Sequence, residues 1–196
     1  MSNINQAIQW TFVSIIIIFL LYISYKIKNE FKNYSQNKKL IKLKNFNFFV
    51  PSWWDQTSDK NKIKFTSKSS QEIWYSSIEV IKSENDDLGP ENILDKQIEK
   101  MKIIFDHSYI TYKNELPGNN SKLEENNKLN FILKEGTGTE NESRRIYLQI
   151  AIVQHKEEPN YYLITKNLSP VLEGGIEGPY FEELIKSIHL ISTKHA

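Results

Sequence analysis

The chain has no cysteine and only four histidines, and these shortages narrow the range of functions. Without cysteine there is no thiol nucleophile, and lipid attachment through an N-terminal cysteine is excluded. The histidines are His107, His155, His189 and His195. None is spaced from another histidine or an acidic residue as metal ligands usually are, and no Gly-x-Ser-x-Gly motif is present. We therefore predict no catalytic, cofactor-binding or metal-binding residues, and expect that the protein is not an enzyme.

Glycine is also scarce, and its one cluster is Gly174-Gly175-Ile176-Glu177-Gly178, ahead of a predicted helix. A helix N-terminus can bind phosphate groups. This segment, however, lacks the lysine of a phosphate-binding loop, and Glu182 and Glu183 in the first turn of the predicted helix would repel an anion. We interpret the segment as a turn.

Long apolar runs are also rare. The chain has one, from Ala7 to Tyr25, which contains nineteen residues and no charge. At about 1.5 Å per residue, a helix of this length spans roughly the 30 Å hydrocarbon core of a bilayer. Trp10 and Tyr22 stand near its ends, where aromatic rings favour the lipid–water interface. We therefore predict a single transmembrane helix. The residues assigned to the membrane anchor are Trp10, Ile15, Ile16, Ile17, Ile18, Phe19, Leu20, Leu21 and Tyr22.

The flanks of this run indicate a permanent signal anchor rather than a cleaved signal peptide. No Lys or Arg precedes Trp10, and Tyr25-Lys26-Ile27-Lys28 follows the run in place of a small-residue cleavage site. Seven lysines follow the run, against the single acidic residue Glu30, and the positive-inside rule then favours a cytosolic C-terminal domain. The exported side of the membrane is the alternative. The lysines are Lys26, Lys28, Lys32, Lys38, Lys39, Lys42 and Lys44.

We divide the chain into a tail and transmembrane helix at 1–25, a Lys-rich stem at 26–45 and a folded domain at 46–196. The stem is predicted as a frayed continuation of the helix. Its lysines could contact anionic lipid headgroups at about 1 kcal/mol each, or serve only to fix the topology. Residues 45–196 carry 18 basic and 23 acidic side chains, a net charge of −5. Because nucleic-acid-binding domains present a basic face, no nucleic acid partner is expected.

The folded domain is predicted to be α+β, with an antiparallel sheet packed by two helices. Strands are expected at 46–50, 63–67, 72–82, 108–113, 128–135, 144–155 and 160–168, with a turn at 136–138 and a polar loop at 114–128. One amphipathic helix is expected from residue 87 or 89 to 105, and a second from 179 to 191. Hairpin-linked strands with few βαβ units are typical of an antiparallel sheet.

Four segments carry a resemblance to a known family: FNFFVPSWW, PENILDKQIEKM, RRIYLQIAIVQHKEEPNYYLIT and YFEELIKSIHLI. Through them, residues 45–192 resemble the Mog1/PsbP-like family, which includes the DcrB-type bacterial proteins. The resemblance implies a non-enzymatic role, because members stabilise or assemble larger complexes, bind a small GTPase or shelter hydrophobic helices of secreted proteins. No functional site of the family matches this chain residue by residue. Some members are exported lipoproteins, which opposes the cytosolic orientation.

Aromatic residues provide the candidates for partner binding, which are Trp53, Trp54, Trp74, Tyr75, Tyr161 and Tyr162. Neighbouring residues on a strand point to opposite faces of the sheet, so one of each pair should leave the core face. Exposed Trp and Tyr side chains often anchor protein interfaces. The alternative is that helices cover both faces.

The features together predict a single-pass membrane protein that acts as an accessory or assembly subunit, with its α+β domain binding other proteins of a membrane complex. One alternative is a chaperone-like or ligand-binding module that shelters an apolar helix or lipid in a sheet groove. A second alternative is a membrane-tethered enzyme. An open apolar groove would favour the first alternative, and a pocket with converging titratable groups would favour the second.

Overall fold

The computed structural model describes residues 2–67, 74–82, 89–114 and 129–191, with side chains for all of these except 2–9, 30, 31 and 173–176. The chain divides into two compact units, Met1–Lys38 and Lys39–Ala196. The boundary falls within the predicted stem.

The first unit is one long helix, α1 (Ser2–Gln36). Its segment Trp10–Gln36 is long and apolar enough to cross a membrane, and an 18-residue window within it has a mean hydropathy of 1.9. All nine predicted anchor residues lie on this helix with exposed side chains. An exposed, largely apolar surface of this length is unusual for a water-facing helix and suits a lipid environment.

The second unit is built from eleven strands and two helices in the part of the chain that the structure describes. The strands are β1 (Lys38–Leu43), β2 (Phe46–Pro51), β3 (Trp54–Asp59), β4 (Lys62–Ser67), β5 (Tyr75–Lys82), β6 (Ile103–Phe105), β7 (Ile110–Lys113), β8 (Leu129–Glu140), β9 (Arg144–His155), β10 (Glu158–Ser169) and β11 (His189–Leu190). The helices are α2 (Pro90–Lys100) and α3 (Gly174–Lys186), and a short 3-10 helix, Val171–Glu173, precedes α3.

The strands form two sheets. Eight belong to a large sheet with the order β3-β4-β5-β10-β9-β8-β6, in which β7 also pairs with β8. The other three form a small sheet with the order β1-β2-β11. Neighbouring strands of the large sheet run antiparallel. The predicted α+β class, with an antiparallel sheet and two packing helices, is therefore confirmed.

Both faces of the large sheet are covered. One face packs against α2, where Ile93 and Leu94 join Leu148 and Ile150 of β9 in one apolar cluster. The other face packs against α3, whose Phe181 joins a second cluster with the small sheet. Strands β8, β9 and β10 therefore carry buried side chains on both faces, as strands between two covering layers do.

Strands β1 and β3 were not predicted from the sequence. Residues 38–43 were expected to continue the helix, but they form β1, in which Ile41 and Leu43 are buried at alternating positions. The segment Trp54–Asp59 has only one large apolar residue, yet it pairs with β4 along its whole length. Its strand conformation comes from pairing with β4, because its exposed side chains have no apolar alternation.

The predicted turn at 136–138 is wrong, because β8 continues through it to Glu140 and the chain turns at 141–143. Gly136 and Gly138 instead allow neighbouring backbone to pack closely against β8. A Cβ on Gly138 would lie 2.7 Å from the Ile104 carbonyl oxygen, and one on Gly136 would lie 2.9 Å from the Tyr109 Cα. The absence of side chains therefore lets β6 and the segment after it approach β8 closely.

The helix boundaries also differ from the prediction. Helix α2 ends at Lys100, and Lys102, with a φ of 52°, reverses the chain so that Ile104 and Phe105 lie on β6. Helix α3 begins at Gly174, within the segment interpreted as a turn, and ends at Lys186 rather than at Ile191. The chain leaves the helix after Lys186, and His189–Leu190 forms β11. The predicted polar loop lies mostly in 115–128, outside the described residues.

Candidate functional site

A row of polar side chains crosses the α3-facing side of the large sheet. Ser76 on β5 is opposite Asn167 on β10, Asn167 is opposite Gln149 on β9, and Gln149 is opposite Glu135 on β8. Because directly opposed residues project from the same face of a sheet, the four side chains share one face. We call Ser76, Asn167, Gln149 and Glu135 the polar row.

Side-chain hydrogen bonds connect three members of the polar row, Asn167, Gln149 and Glu135. The Trp74 indole Nε1 donates to Asn167 Oδ1 at 2.7 Å. Asn167 Nδ2 donates to Gln149 Oε1 at 2.8 Å, and Gln149 Nε2 donates to Glu135 Oε2 at 3.0 Å. Each amide thus uses both its donor and its acceptor, which fixes its orientation within the interior.

Two tyrosines complete the environment of Glu135. The Tyr112 hydroxyl donates to Glu135 Oε1 at 3.3 Å, and Tyr147 also forms a side-chain hydrogen bond with Glu135. Burial and the nearby Glu135 charge raise the pKa of both hydroxyls. Both tyrosines therefore remain protonated near neutral pH and act as donors to the carboxylate.

A second carboxylate, that of Glu182 on α3, lies near Glu135. Burial, and after it the negative charge of Glu135, raises the pKa of Glu182 to about 7, while Lys186 opposes the shift. We call Glu135, Glu182, Tyr112 and Tyr147 the acidic end of the row. Two half-buried carboxylates that interact are electrostatically unfavourable when both are charged, so Glu182 holds its proton to a higher pH than a free carboxyl group does.

The start of α3 is fixed to the same face of the sheet. The Trp54 indole Nε1 donates to Glu177 Oε2 at 2.9 Å, and both residues are buried. A Cβ on Gly178 would lie 3.3 Å from Gln149 Oε1, so this glycine lets the helix lie close over the polar row. Burial raises the pKa of Glu177, whereas its hydrogen bond from Trp54 opposes the shift.

Two serine hydroxyls, one in the polar row and one beside it, have no hydrogen-bond partner among the described residues. They are Ser76 Oγ and Ser169 Oγ, and both residues are buried. Ser169 is opposite Tyr147 in the register, so its side chain lies on the same face as the acidic end. Buried hydroxyls are normally hydrogen-bonded, which makes these two atoms unusual.

The structure separates the six candidate partner-binding residues. Trp54, Trp74 and Tyr162 are buried, because the sheet is covered on both faces and their neighbours lie in the core. Trp53 is 37% exposed and packs edge-on against Tyr180, with ring centroids 5.2 Å apart. Tyr75 and Tyr161 are half-buried. A role in partner binding stays a prediction for Trp53, Tyr75 and Tyr161.

The polar row was not predicted, because its members lie on four strands that are distant in sequence. A signal was nevertheless present in β9, where Gln149 interrupts a segment that is apolar on both faces from Ile146 to Val153. Among the described residues, no group of three or more His, Cys, Asp or Glu side chains could hold a metal ion.

No family model and no curated protein matches the chain. Solved structures do match. Cyanobacterial PsbP (CyanoP) from Synechocystis is 9% identical with a TM-score of 0.50, covering 79% of this chain and 93% of that one. The Ran-binding protein Mog1p from Saccharomyces cerevisiae is 10% identical with a TM-score of 0.50, covering 80% of this chain and 97% of that one.

A third structure, from Bacteroides thetaiotaomicron, is 13% identical with a TM-score of 0.50 and covers 82% of this chain. The chain spans half the length of that protein. Identities this low show the fold and leave the function open. The expected resemblance in fold is confirmed, and the α+β unit has the Mog1/PsbP-like fold.

Proposed function

We propose that this protein is a membrane-anchored accessory or assembly subunit whose α+β domain binds other proteins of a membrane complex. The role is one of binding rather than catalysis. Its α1 helix holds the domain at the membrane, and the domain supplies the surface that contacts partners.

The observation that carries the proposal is the combination in one chain of a helix long and apolar enough to cross a membrane and a Mog1/PsbP-like domain. One solved protein with this fold is a Ran-binding protein, so the fold can present a protein-binding surface. An anchored domain would meet its partners within a thin layer beside the membrane, where its effective concentration is high.

Exposed apolar side chains on the domain support a protein-binding role. Leu172, in the 3-10 helix before α3, is 95% exposed, and Ile104 and Ile110 beside β8 are also exposed. Large exposed apolar side chains are often found where one protein packs against another. The coverage of both sheet faces by helices gives less support to the alternative of an apolar sheet groove.

The orientation and the lipid contact belong to the same proposal. Lysines follow the apolar run, and the positive-inside rule favours a cytosolic domain. The lysines of the stem would then lie near anionic headgroups of the cytosolic leaflet.

Site-specific photo-crosslinking in native membranes tests the proposal. A photoreactive amino acid is placed at Trp53, Ile110 or Leu172 of the full chain, and Lys60, in an exposed turn, is the control position. We expect recovery of the same membrane-complex subunit from at least one apolar position and not from Lys60. Equal, scattered cross-links at all positions would contradict the proposal.

A further inference from the structure

We propose that one face of the small sheet, formed by Lys38, Leu40, Lys42, Phe49 and His189, docks on the anionic lipid headgroups of the membrane. We call these five residues the outer face. The inference rests on the membrane anchoring in the proposed function and adds a second contact, between the folded domain itself and the lipid surface. It is carried by the alternation of side chains in the small sheet, by the charge of that sheet and by its position directly after the anchor.

The first argument is the alternation of side chains along β1. Ile41 and Leu43 are buried and belong to the apolar cluster that includes α3. Lys38, Leu40 and Lys42 are exposed and lie on the opposite face of the strand, with Leu40 46% exposed. The strand therefore presents an apolar side chain between two cationic ones, a combination that suits the boundary between lipid headgroups and acyl chains.

Strands β2 and β11 extend this face. Phe48 and Val50 are buried in the same cluster, so Phe49, between them, projects from the other face of β2. His189 on β11 is opposite Asn47, which shares the face of Phe49, and the His189 and Phe49 rings have centroids 6.4 Å apart. Lysine together with Leu and Phe is the composition of segments that bind at membrane surfaces.

The second argument is the charge of the small sheet. Its three strands contain no acidic residue, and residues 38–51 contain four lysines. Two of these contact the domain itself. The Lys39 Nζ donates to a backbone carbonyl oxygen of β3, and the Lys44 Nζ lies 5.9 Å from the centroid of a tyrosine ring of β10. The other two, Lys38 and Lys42, lie on the outer face, where their charge is complementary to anionic headgroups.

The third argument is the position of β1 directly after the anchor. Helix α1 ends at Gln36, and β1 begins at Lys38. The segment Trp10–Gln36 has 27 residues and is about 40 Å long at 1.5 Å per residue. A bilayer with its headgroups is about 40–45 Å thick, so a helix of this length brings the start of β1 to the headgroups. The negative potential of an anionic surface acts over about 10 Å, and β1 begins within that range.

The layer order of the domain gives the inference a specific consequence. The small sheet and α3 pack against one face of the large sheet, and α2 packs against the other face. Docking through the outer face therefore points α2 away from the membrane. A domain that is only tethered would show no such preference between its two sides.

Spin labels on the full chain in lipid nanodiscs test the inference. The chain has no cysteine, so Leu40→Cys or Lys96→Cys, on exposed α2, carries the only label. Relaxation of the label by a gadolinium-chelate lipid reports its distance from the headgroups. We expect relaxation at residue 40 to be at least about twofold stronger in nanodiscs containing phosphatidylserine than in neutral ones, with no effect of lipid charge at residue 96. Equal relaxation of residue 40 in both lipids would overturn the inference.

Substitutions identify the lysines responsible. Lys38→Gln combined with Lys42→Gln, in the Leu40→Cys chain, should remove the effect of phosphatidylserine. Lys96→Gln combined with Lys100→Gln removes the same charge from α2 and should leave the effect unchanged. All four lysines are exposed, so the fold should tolerate these changes. An unchanged effect in the Lys38 and Lys42 double variant would overturn the inference.

The two proposals fail in different ways. If the wild-type chain cross-links to a partner while lipid charge has no effect at residue 40, the lipid docking is wrong and the binding role stands. If anionic lipid acts on residue 40 while no position cross-links to a partner, the binding role is wrong and the docking stands. If residue 40 is shielded in native membranes but does not respond to lipid charge in nanodiscs, a protein covers the outer face and the inference is overturned.

Discussion

The indole of Trp54, at the start of β3, donates a hydrogen bond of 2.9 Å to the buried carboxylate of Glu177 at the start of α3. The two residues are 123 positions apart in the chain. The bond joins an edge strand of the large sheet to the helix that covers its face. A buried carboxylate needs such a donor, because its charge is otherwise unfavourable in the interior.

Replacement of Trp54 by Phe should lower the free energy of unfolding by about 1–3 kcal/mol, because Glu177 loses its buried donor. The matched control is Trp53→Phe, which changes an exposed neighbour and should have an effect within about 0.5 kcal/mol. Urea unfolding of the full chain in nonionic micelles measures both. Equal effects of the two substitutions would argue against the role of this hydrogen bond.

Replacement of Gly138 by Ala should destabilise the domain by about 1–3 kcal/mol, because the added Cβ would lie 2.7 Å from a backbone oxygen of β6. Gly89→Ala is the control, since a Cβ there meets no atom within 4 Å. We expect a change within about 1 kcal/mol for the control. Thermal unfolding of both variants makes the comparison, and a neutral Gly138→Ala would contradict the close approach of β6.

The stability of the domain should fall as the pH rises through about 7. The pKa of Glu182 is raised, mainly by burial, from 4.5 to about 7, so the folded state holds this proton more tightly than the unfolded state. Its contribution is complete below about pH 4.5 and is lost as the pH rises through 7. We expect a loss on the order of 1–2 kcal/mol after allowance for solvent screening, measured by urea unfolding at a series of pH values.

Glu182→Gln should reduce this pH dependence, because the titrating group is removed. A smaller slope should remain, since burial also raises the pKa of Glu177. The charged groups that act on Glu182 are Glu135, Glu183 and Lys186. A pH profile identical to that of the wild type would show that Glu182 is not the titrating group.

Protease treatment of membranes with the cytosolic face exposed should remove a tag placed after Ala196. The physical reason is the excess of lysines after the apolar run, which favours a cytosolic domain. Detergent-treated membranes provide the control in which the tag is digested in either orientation. Protection of the tag in intact membranes would place the domain on the opposite side.

The fold could be predicted where side-chain patterns are strong. Alternating apolar residues predicted β9, and the amphipathic stripe predicted α2. The pattern was weaker in β1 and β3. Lys38–Leu43 is half lysine and Trp54–Asp59 is mainly polar, so pairing with neighbouring strands decides their conformation.

The polar row could not be predicted from the sequence, because strand register decides which residues meet. Glu135, Gln149 and Asn167 have no regular spacing in the chain, and only the pairing of β8, β9 and β10 brings them together. The positions of Gly136 and Gly138 are a related case. The sequence Gly-Thr-Gly is typical of a turn, but here the two glycines leave room for Tyr109 and for the backbone of β6 to lie close to β8.

Native electrophoresis of membranes solubilised in a mild detergent tests the central claim most directly. The account predicts that the full chain migrates in a discrete assembly larger than the 23.1 kDa protein with its detergent, together with the subunit found by cross-linking. Migration of all the protein as a free monomer under these conditions, with the membrane complexes intact, would contradict it.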